Sequence, residues 1–222
     1  MPDFKDGPDF KDGPEFTEDF RDQLLDLFRW RRDVRRFRKQ PLDGAAIDRL
    51  IDAACLSPSV GNSQPWRFVR VDETARRAAV RAEFERCNEK ALGGYDGERA
   101  AKYAALKLAG LDEAPLHLAV FVDHGTAAGH GLGRQTMPET SAYSVVAAVH
   151  TLWLAARAEG IGVGWLSILD ADKVAGILDV PADWRLIAYL CVGYPQEEHL
   201  DPELERHGWQ APDPKARKLL NR

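Results

Sequence analysis

Apolar positions along this chain change period several times, and each change marks an element. After Thr17, a good helix N-cap, Phe20, Leu24, Leu27 and Phe28 fall at i, i+4, i+7 and i+8, the stripe of an amphipathic helix. Asp43 caps a second predicted helix with Ile47, Leu50, Ile51 and Ala54 on one face, stopping at Ser57-Pro58. The β-branched and aromatic run Trp66 to Val71 predicts a strand, and Thr74 to Asn88 a charged helix that Gly93-Gly94 breaks. Ala100 to Leu111 reads as a helix and Leu116 to Val122 as an apolar strand. Pro138 to Glu159 is apolar nearly all round, so it is expected at the centre of the core, with Gly160 as its C-terminal cap. Ile161 to Ile168 and Trp184 to Val192 read as strands flanking a short helix, Asp172 to Leu178. Helical pairs between strands spoil a βαβ alternation, so the fold class predicted is α+β.

With 222 residues and 45% hydrophobic content the chain can bury one sizeable core, which predicts a single domain over residues 17–222. Residues 1–16 read as a flexible arm, because two tandem copies of PDFKDG are too few for a repeat architecture. The net charge of −5 disfavours a general nucleic-acid or anionic-membrane surface. The most apolar stretch, Val145 to Ala158, contains His150 and Arg157 and is short for a membrane span. Cys55, Cys87 and Cys191 are too few and scattered for a disulfide framework, and nothing near the N-terminus resembles a signal peptide, so a cytoplasmic protein is expected.

Against this acidic background, Arg29 to Lys39 packs seven cations into eleven residues. Paired guanidinium donors suit phosphate, and the end of a helix followed by a turn can gather Arg31, Arg32 and Arg35; a solvated basic face is the ordinary alternative. Asp33 inside the cluster reads either as an ion pair that spaces the arginines or as a base kept ionised by them. The loop Ser57 to Trp66 is dense in amide and hydroxyl groups that suit the edge of a planar heterocycle, or else form an ordinary turn. Gly160, Gly162 and Gly164 lead into a strand ending at Ser167 and would let backbone approach a ligand closely. Gly129 to Gly133 lacks dinucleotide-binding spacing, and the six histidines lack metal-ligand spacing, so no metal is predicted.

Taken in order, Arg31-Arg32-Asp33-Val34-Arg35, Ser57-Pro58-Ser59 with Asn62-Ser63-Gln64-Pro65-Trp66, and Gly160-Ile161-Gly162 resemble the motifs of the FMN-dependent nitroreductase superfamily. Tyr103 to Leu111, Glu113 to Phe121, Gly133 to Thr140 and Ala155 to Ile168 resemble, more narrowly, its flavin-fragmenting branch. The resemblance implies an FMN-binding fold with a mixed central sheet surrounded by helices, in an obligate homodimer with flavin at the subunit interface. It implies that Arg31, Arg32, Val34, Arg35 and Arg206 bind flavin, as do Ser59, Gly61, Asn62 and Gln64 of the loop and Gly164, Trp165 and Leu166 of the late strand. Asp33 and Ser167 become the expected catalytic pair, since many nitroreductases carry serine at the position of Asp33. The implied substrates are reduced FMN and dioxygen, and the product is 5,6-dimethylbenzimidazole, the lower-ligand base of cobalamin. Residues 88–111 would form a lid that leaves no room for a nicotinamide, so that a separate flavin reductase supplies reduced FMN. Two rivals stay open: an NAD(P)H-dependent nitroreductase or reductive dehalogenase that retains its FMN, and a non-catalytic flavin-storage protein.

Overall fold

The computed structural model describes residues 13–222, so the duplicated hexapeptide lies outside the described residues apart from its last glycine. Four strands, β1 (Trp66–Arg70), β2 (Leu116–Asp123), β3 (Gly162–Leu166) and β4 (Trp184–Gly193), form a sheet in the order β1-β2-β4-β3. Every neighbouring pair is antiparallel. Among the described residues, the mixed character expected of the sheet rests on one parallel bridge, Asp33 to Val163.

Successive side chains of a strand face opposite ways, and β2 uses both faces. Leu118, Val120 and Val122 meet α5 (Thr140–Ala158) and, through it, α2 (Gly44–Cys55), whose Ile47, Leu50 and Ala54 are buried as their spacing predicts. Ala119 and Phe121, joined by Tyr189 of β4, meet Val80 of α3 (Thr74–Leu92) and Val174 and Leu178 of α6 (Ala171–Leu178). This two-sided burial explains why β2 reads as a continuous apolar run. The α+β prediction holds, with helices on both faces of the sheet.

The long apolar helix ends as predicted. Gly160 takes φ +71°, its N–H donates to the Arg157 carbonyl at 3.1 Å, and the Ile161 N–H donates to the Ala156 carbonyl at 2.8 Å. These two bonds satisfy the last carbonyls of α5 and turn the chain straight into β3. Burial of α5 is one-sided, however: Tyr143 is 58% and Val146 40% exposed, and His150 shares their outward face. α1 (Glu18–Trp30) is capped by Thr17 as expected, yet none of its residues is fully buried and Phe20 and Phe28 stay exposed.

Helix α3 runs on to Leu92, past the predicted Asn88, and the next helix moves more. α4 spans Gly97–Ala105, and Leu106 turns extended where the sequence predicts helix to Leu111. Tertiary contacts explain the difference: the Lys107 carbonyl accepts from Arg35, and Gly110 packs on Phe37. The last short helix, α7 (Glu203–Arg206), follows β4.

A buried polar pair lies between β2 and β4, where His117 Nδ1 and the Tyr189 hydroxyl are 3.0 Å apart. Burial pushes the His117 imidazole down to about 4. The unfolded chain therefore binds a proton near pH 6.5 that the folded chain refuses, and stability should fall from pH 6.5 towards 4, by about 3 kcal/mol in all. His117→Asn, which keeps a hydrogen-bonding group towards Tyr189, should flatten that limb in urea denaturation midpoints measured against pH. An unchanged slope would show that His117 does not carry it.

Candidate active site

After α1 the chain runs extended beside the edge strand β3. The Val34 N–H donates to the Val163 carbonyl at 3.0 Å, and the Arg38 N–H to the Tyr194 carbonyl at 2.8 Å. Small residues on β3 permit this approach. A Cβ at Gly164 would stand 2.2 Å from the Val34 carbonyl oxygen, and one at Gly162 would stand 2.8 Å from Val34 Cγ2. The close approach expected of these glycines is thus to the arginine segment, which they hold against the sheet.

That docking fixes Asp33. Its Oδ1 accepts the Trp165 backbone N–H at 2.8 Å and its Oδ2 accepts Arg35 Nε at 2.9 Å. A third of the Asp33 side-chain surface stays open, whereas Arg35 keeps only 11%. Burial pushes the Asp33 carboxyl above the ordinary carboxylate range, and the Arg35 guanidinium and the Trp165 N–H only partly oppose this. Ser167 is exposed, just past the end of β3 and two residues beyond the amide that holds Asp33.

The remaining cations of the cluster are sorted by their partners. Arg31 stacks over the Trp153 ring at 4.7 Å, and Trp153 Nε1 donates to the Arg32 carbonyl at 3.2 Å. Arg32 Nε donates to the Leu200 carbonyl at 2.9 Å. Arg36 pairs with Glu197 and Glu203, and Arg206 with Asp201. Arg32, Asp33, Val34, Arg35 and Arg206 line one cleft floored by Trp30 and Trp153. Arg36 and Arg157 line the same cleft, as do Glu197, Glu198, Asp201 and Glu203, so most of its guanidinium groups are already paired with carboxylates; guanidinium groups beside two indole rings are the donors that a phosphate on an organic group uses. Gly164, Trp165 and Leu166 line a smaller adjoining cavity with Asp33, Arg35, Cys191 and the stretch Leu108 to Gly110.

The amide-rich loop stands elsewhere. Ser57 Oγ donates to Thr151 Oγ1 at 2.7 Å, the Val60 N–H to Ser144 Oγ at 3.0 Å, and the Gln64 N–H to Ser59 Oγ at 3.0 Å. Gly61, Asn62 and Gln64 all adopt positive φ, and the buried Ser63 hydroxyl has no hydrogen-bond partner among the described residues. Ser144 lies nine residues before Trp153 on α5, about 13 Å along the axis. Neither cavity at the arginines includes a residue of Ser59 to Gln64. One chain therefore assembles the arginines, Asp33 and the end of β3, and holds the loop apart from them.

Sequence reasoning passed over several participants. Trp153 sits in a helix that reads as core, and only its size among small neighbours marks it. The Lys107 carbonyl and Cys191 leave no mark, because backbone groups carry no residue type and Cys191 lies in an ordinary apolar strand. The segment expected to form a lid is anchored by Tyr103, whose hydroxyl donates to Asn88 Oδ1 at 2.8 Å, and by Tyr95, with both rings packed on Trp209. Among the described residues no cluster of metal-ligating side chains occurs and no helix is long and apolar enough to cross a membrane.

The profile of the nitroreductase family matches residues 28–194, and the chain belongs to that family. Within it, the chain is 62% identical over 195 residues to the 5,6-dimethylbenzimidazole synthase of Rhodospirillum rubrum, covering 88% of this chain and 92% of the relative. It is 52% identical over 190 residues to the 5,6-dimethylbenzimidazole synthase of Rhodobacter capsulatus, covering 86% and 92%. Among solved structures, iodotyrosine deiodinase bound to FMN and 3-iodo-L-tyrosine superposes with a TM-score of 0.68 at 26% identity, over 90% of this chain and 97% of the other. A BluB-like flavoprotein from Clostridium difficile 630 shares the fold, with a TM-score of 0.66 at 20% identity over 89% and 99%.

Proposed function

We propose that this chain is a 5,6-dimethylbenzimidazole synthase, an enzyme that fragments reduced FMN with dioxygen. The observation that carries the reading is the Asp33 carboxylate, oriented by Trp165 and Arg35 where β3 leads to Ser167. High identity to two synthases across nearly their whole length supports the same chemistry. The residues fit the flavin. Arg32 and Arg206 would hold its phosphate, with Arg31 braced on Trp153. Reduced FMN supplies both the electrons for dioxygen and the carbon skeleton of the product.

Asp33 acts as the base. Its surroundings raise its proton affinity above that of a free aspartate, which suits a group that must take a proton and return it. Ser167, exposed one residue beyond Leu166 of the smaller cavity and lining neither cavity itself, would offer a hydroxyl to a bound flavin. The segment Leu106 to Leu111, whose Leu108 to Gly110 line the Asp33 cavity, would exclude a stacked nicotinamide once flavin is bound, so that reduced FMN would come from a separate reductase. Three free cysteines suit the reducing cytoplasm, where such a reductase would work.

We infer a homodimer from the divided site. The exposed apolar residues Phe20, Phe28, Tyr143 and Val146 of α1 and α5 provide a face for a second copy. A two-fold partner would bring its Ser59 to Gln64 loop to the arginine cleft.

The test is to determine the mass of the 24.8 kDa chain in solution and then mix it with reduced FMN and air, without nicotinamide. Dimethylbenzimidazole, identified by chromatography and mass spectrometry, is expected from a particle of twice that mass. Intact FMN as the sole flavin product would overturn the synthase reading in favour of a nicotinamide-dependent reductase, and a monomer that makes product would overturn the shared site.

A further inference from the structure

Arg35 is nearly enclosed, and its donors point two ways. Nε donates to Asp33 Oδ2 at 2.9 Å, and Nη1 donates to the Lys107 carbonyl at 2.9 Å. One planar guanidinium thus joins the carboxylate on the docked segment to the backbone of the segment that covers it. That covering segment is seated by further contacts. The Lys107 ammonium bonds Glu113 Oε1 at 2.6 Å, and the Ala114 N–H donates to the Gly110 carbonyl at 3.0 Å. Gly110 lies so close to Phe37 that a Cβ there would stand 2.4 Å from the ring. Besides Arg35, the titratable groups that act on Asp33 are Glu203 of α7 and Cys191 of β4. Both are acidic, and the Cys191 thiol is held protonated by burial, pushed up to about 12. Arg35 is therefore the positive partner of the carboxylate, and it is also a hydrogen-bonding tie to the Leu106 to Leu111 segment.

We propose that Arg35 is a positioning residue that latches the Leu106 to Leu111 segment to the Asp33 carboxylate, so that seating this segment and orienting the base are one event. The proposal rests on the reading of Asp33 as the base of the flavin reaction. Its physical basis is the shape of the guanidinium, whose rigid fork can serve two acceptors at fixed angles. A lysine ammonium keeps the charge but cannot span both. Opening of the segment for flavin entry would release one side of the fork and leave Asp33 without its fixed partner, and closure would restore both bonds before proton transfer begins.

Amide hydrogen exchange of residues 106–112 in the flavin-free protein tests the latch directly. Arg35→Lys and, from the other end, Asp33→Asn should each speed exchange of this segment about tenfold, as the loss of one charge-assisted hydrogen bond implies. Asp33→Asn is nearly isosteric, so it serves if Arg35→Lys folds poorly. In turnover, Arg35→Lys should lower kcat at least about tenfold with KM for reduced FMN within about twofold, because its cationic charge remains. Unchanged exchange in both variants would overturn the latch, and so would a raised KM with kcat intact, which would make Arg35 a flavin ligand only. If exchange responds as expected while the wild-type protein makes no dimethylbenzimidazole, the latch stands and the synthase reading fails.

Discussion

Asp33→Asn should reduce dimethylbenzimidazole formation by about 10²- to 10⁴-fold, the range that a positioned proton-transfer group contributes. Asparagine nearly preserves the volume of the side chain and can still accept the Trp165 N–H. It cannot take up a proton, and its amide N–H₂ meets the Arg35 Nε donor where a carboxylate oxygen accepts in the wild type. Reduced FMN should still bind, since the proposed phosphate donors Arg32 and Arg206 are untouched, and should be recovered intact. The pH profile gives a second reading of the same residue. Asp33 must be ionised to act as a base, and burial raises its proton affinity in the folded protein. Product formation should therefore fall, as pH is lowered, at a higher pH than an ordinary aspartate would give. Binding measured by flavin fluorescence and product measured by chromatography separate the two effects. Wild-type turnover in the asparagine variant would remove Asp33 from the chemistry.

Gly164→Ala should disrupt the site from behind. The added methyl would stand 2.2 Å from the Val34 carbonyl oxygen, a backbone atom that cannot swing aside as a side chain can. The docked segment must then shift away from β3. That endangers the Val34 to Val163 bond and the Trp165 to Asp33 bond together. Overpacking costs roughly 1–3 kcal/mol and each lost hydrogen bond about 1 kcal/mol, so a stability loss of about 3–5 kcal/mol is expected. Flavin affinity should fall at least about tenfold, because the arginines on the displaced segment lose their alignment. The control is Gly176→Ala, at an exposed helical position with open space, which should stabilise the fold by about 0.5–1 kcal/mol. Urea unfolding and flavin titration of both variants check these values. A Gly164→Ala protein as stable and as flavin-competent as the wild type would show that the segment is not held by this contact.

Much of this molecule could be read from local pattern. Thr17 and Asp43 cap their helices, Gly160 ends the long one, and the four strands lie within a few residues of their predicted limits. These features depend on neighbours in sequence, on caps and on period, and so survive without knowledge of the fold. Helix α4 is the counterexample: its residues favour helix through Leu111, but Phe37 and Arg35, more than seventy positions earlier, claim Gly110 and the Lys107 carbonyl. The motifs named candidate residues, and the resemblance they carry agrees with the family to which the chain belongs. Motif order did not place them in space. The three-dimensional structure alone decided that Gly162 and Gly164 serve the arginine segment, that Trp153 backs Arg31, that Arg35 joins Asp33 to its cover, and that one chain holds the Ser59 to Gln64 loop away from the arginine cleft. The physical reason is the same in each case. Local sequence sets backbone preference and burial period, whereas the distances that orient a carboxylate or divide a site arise from packing between segments far apart in the chain.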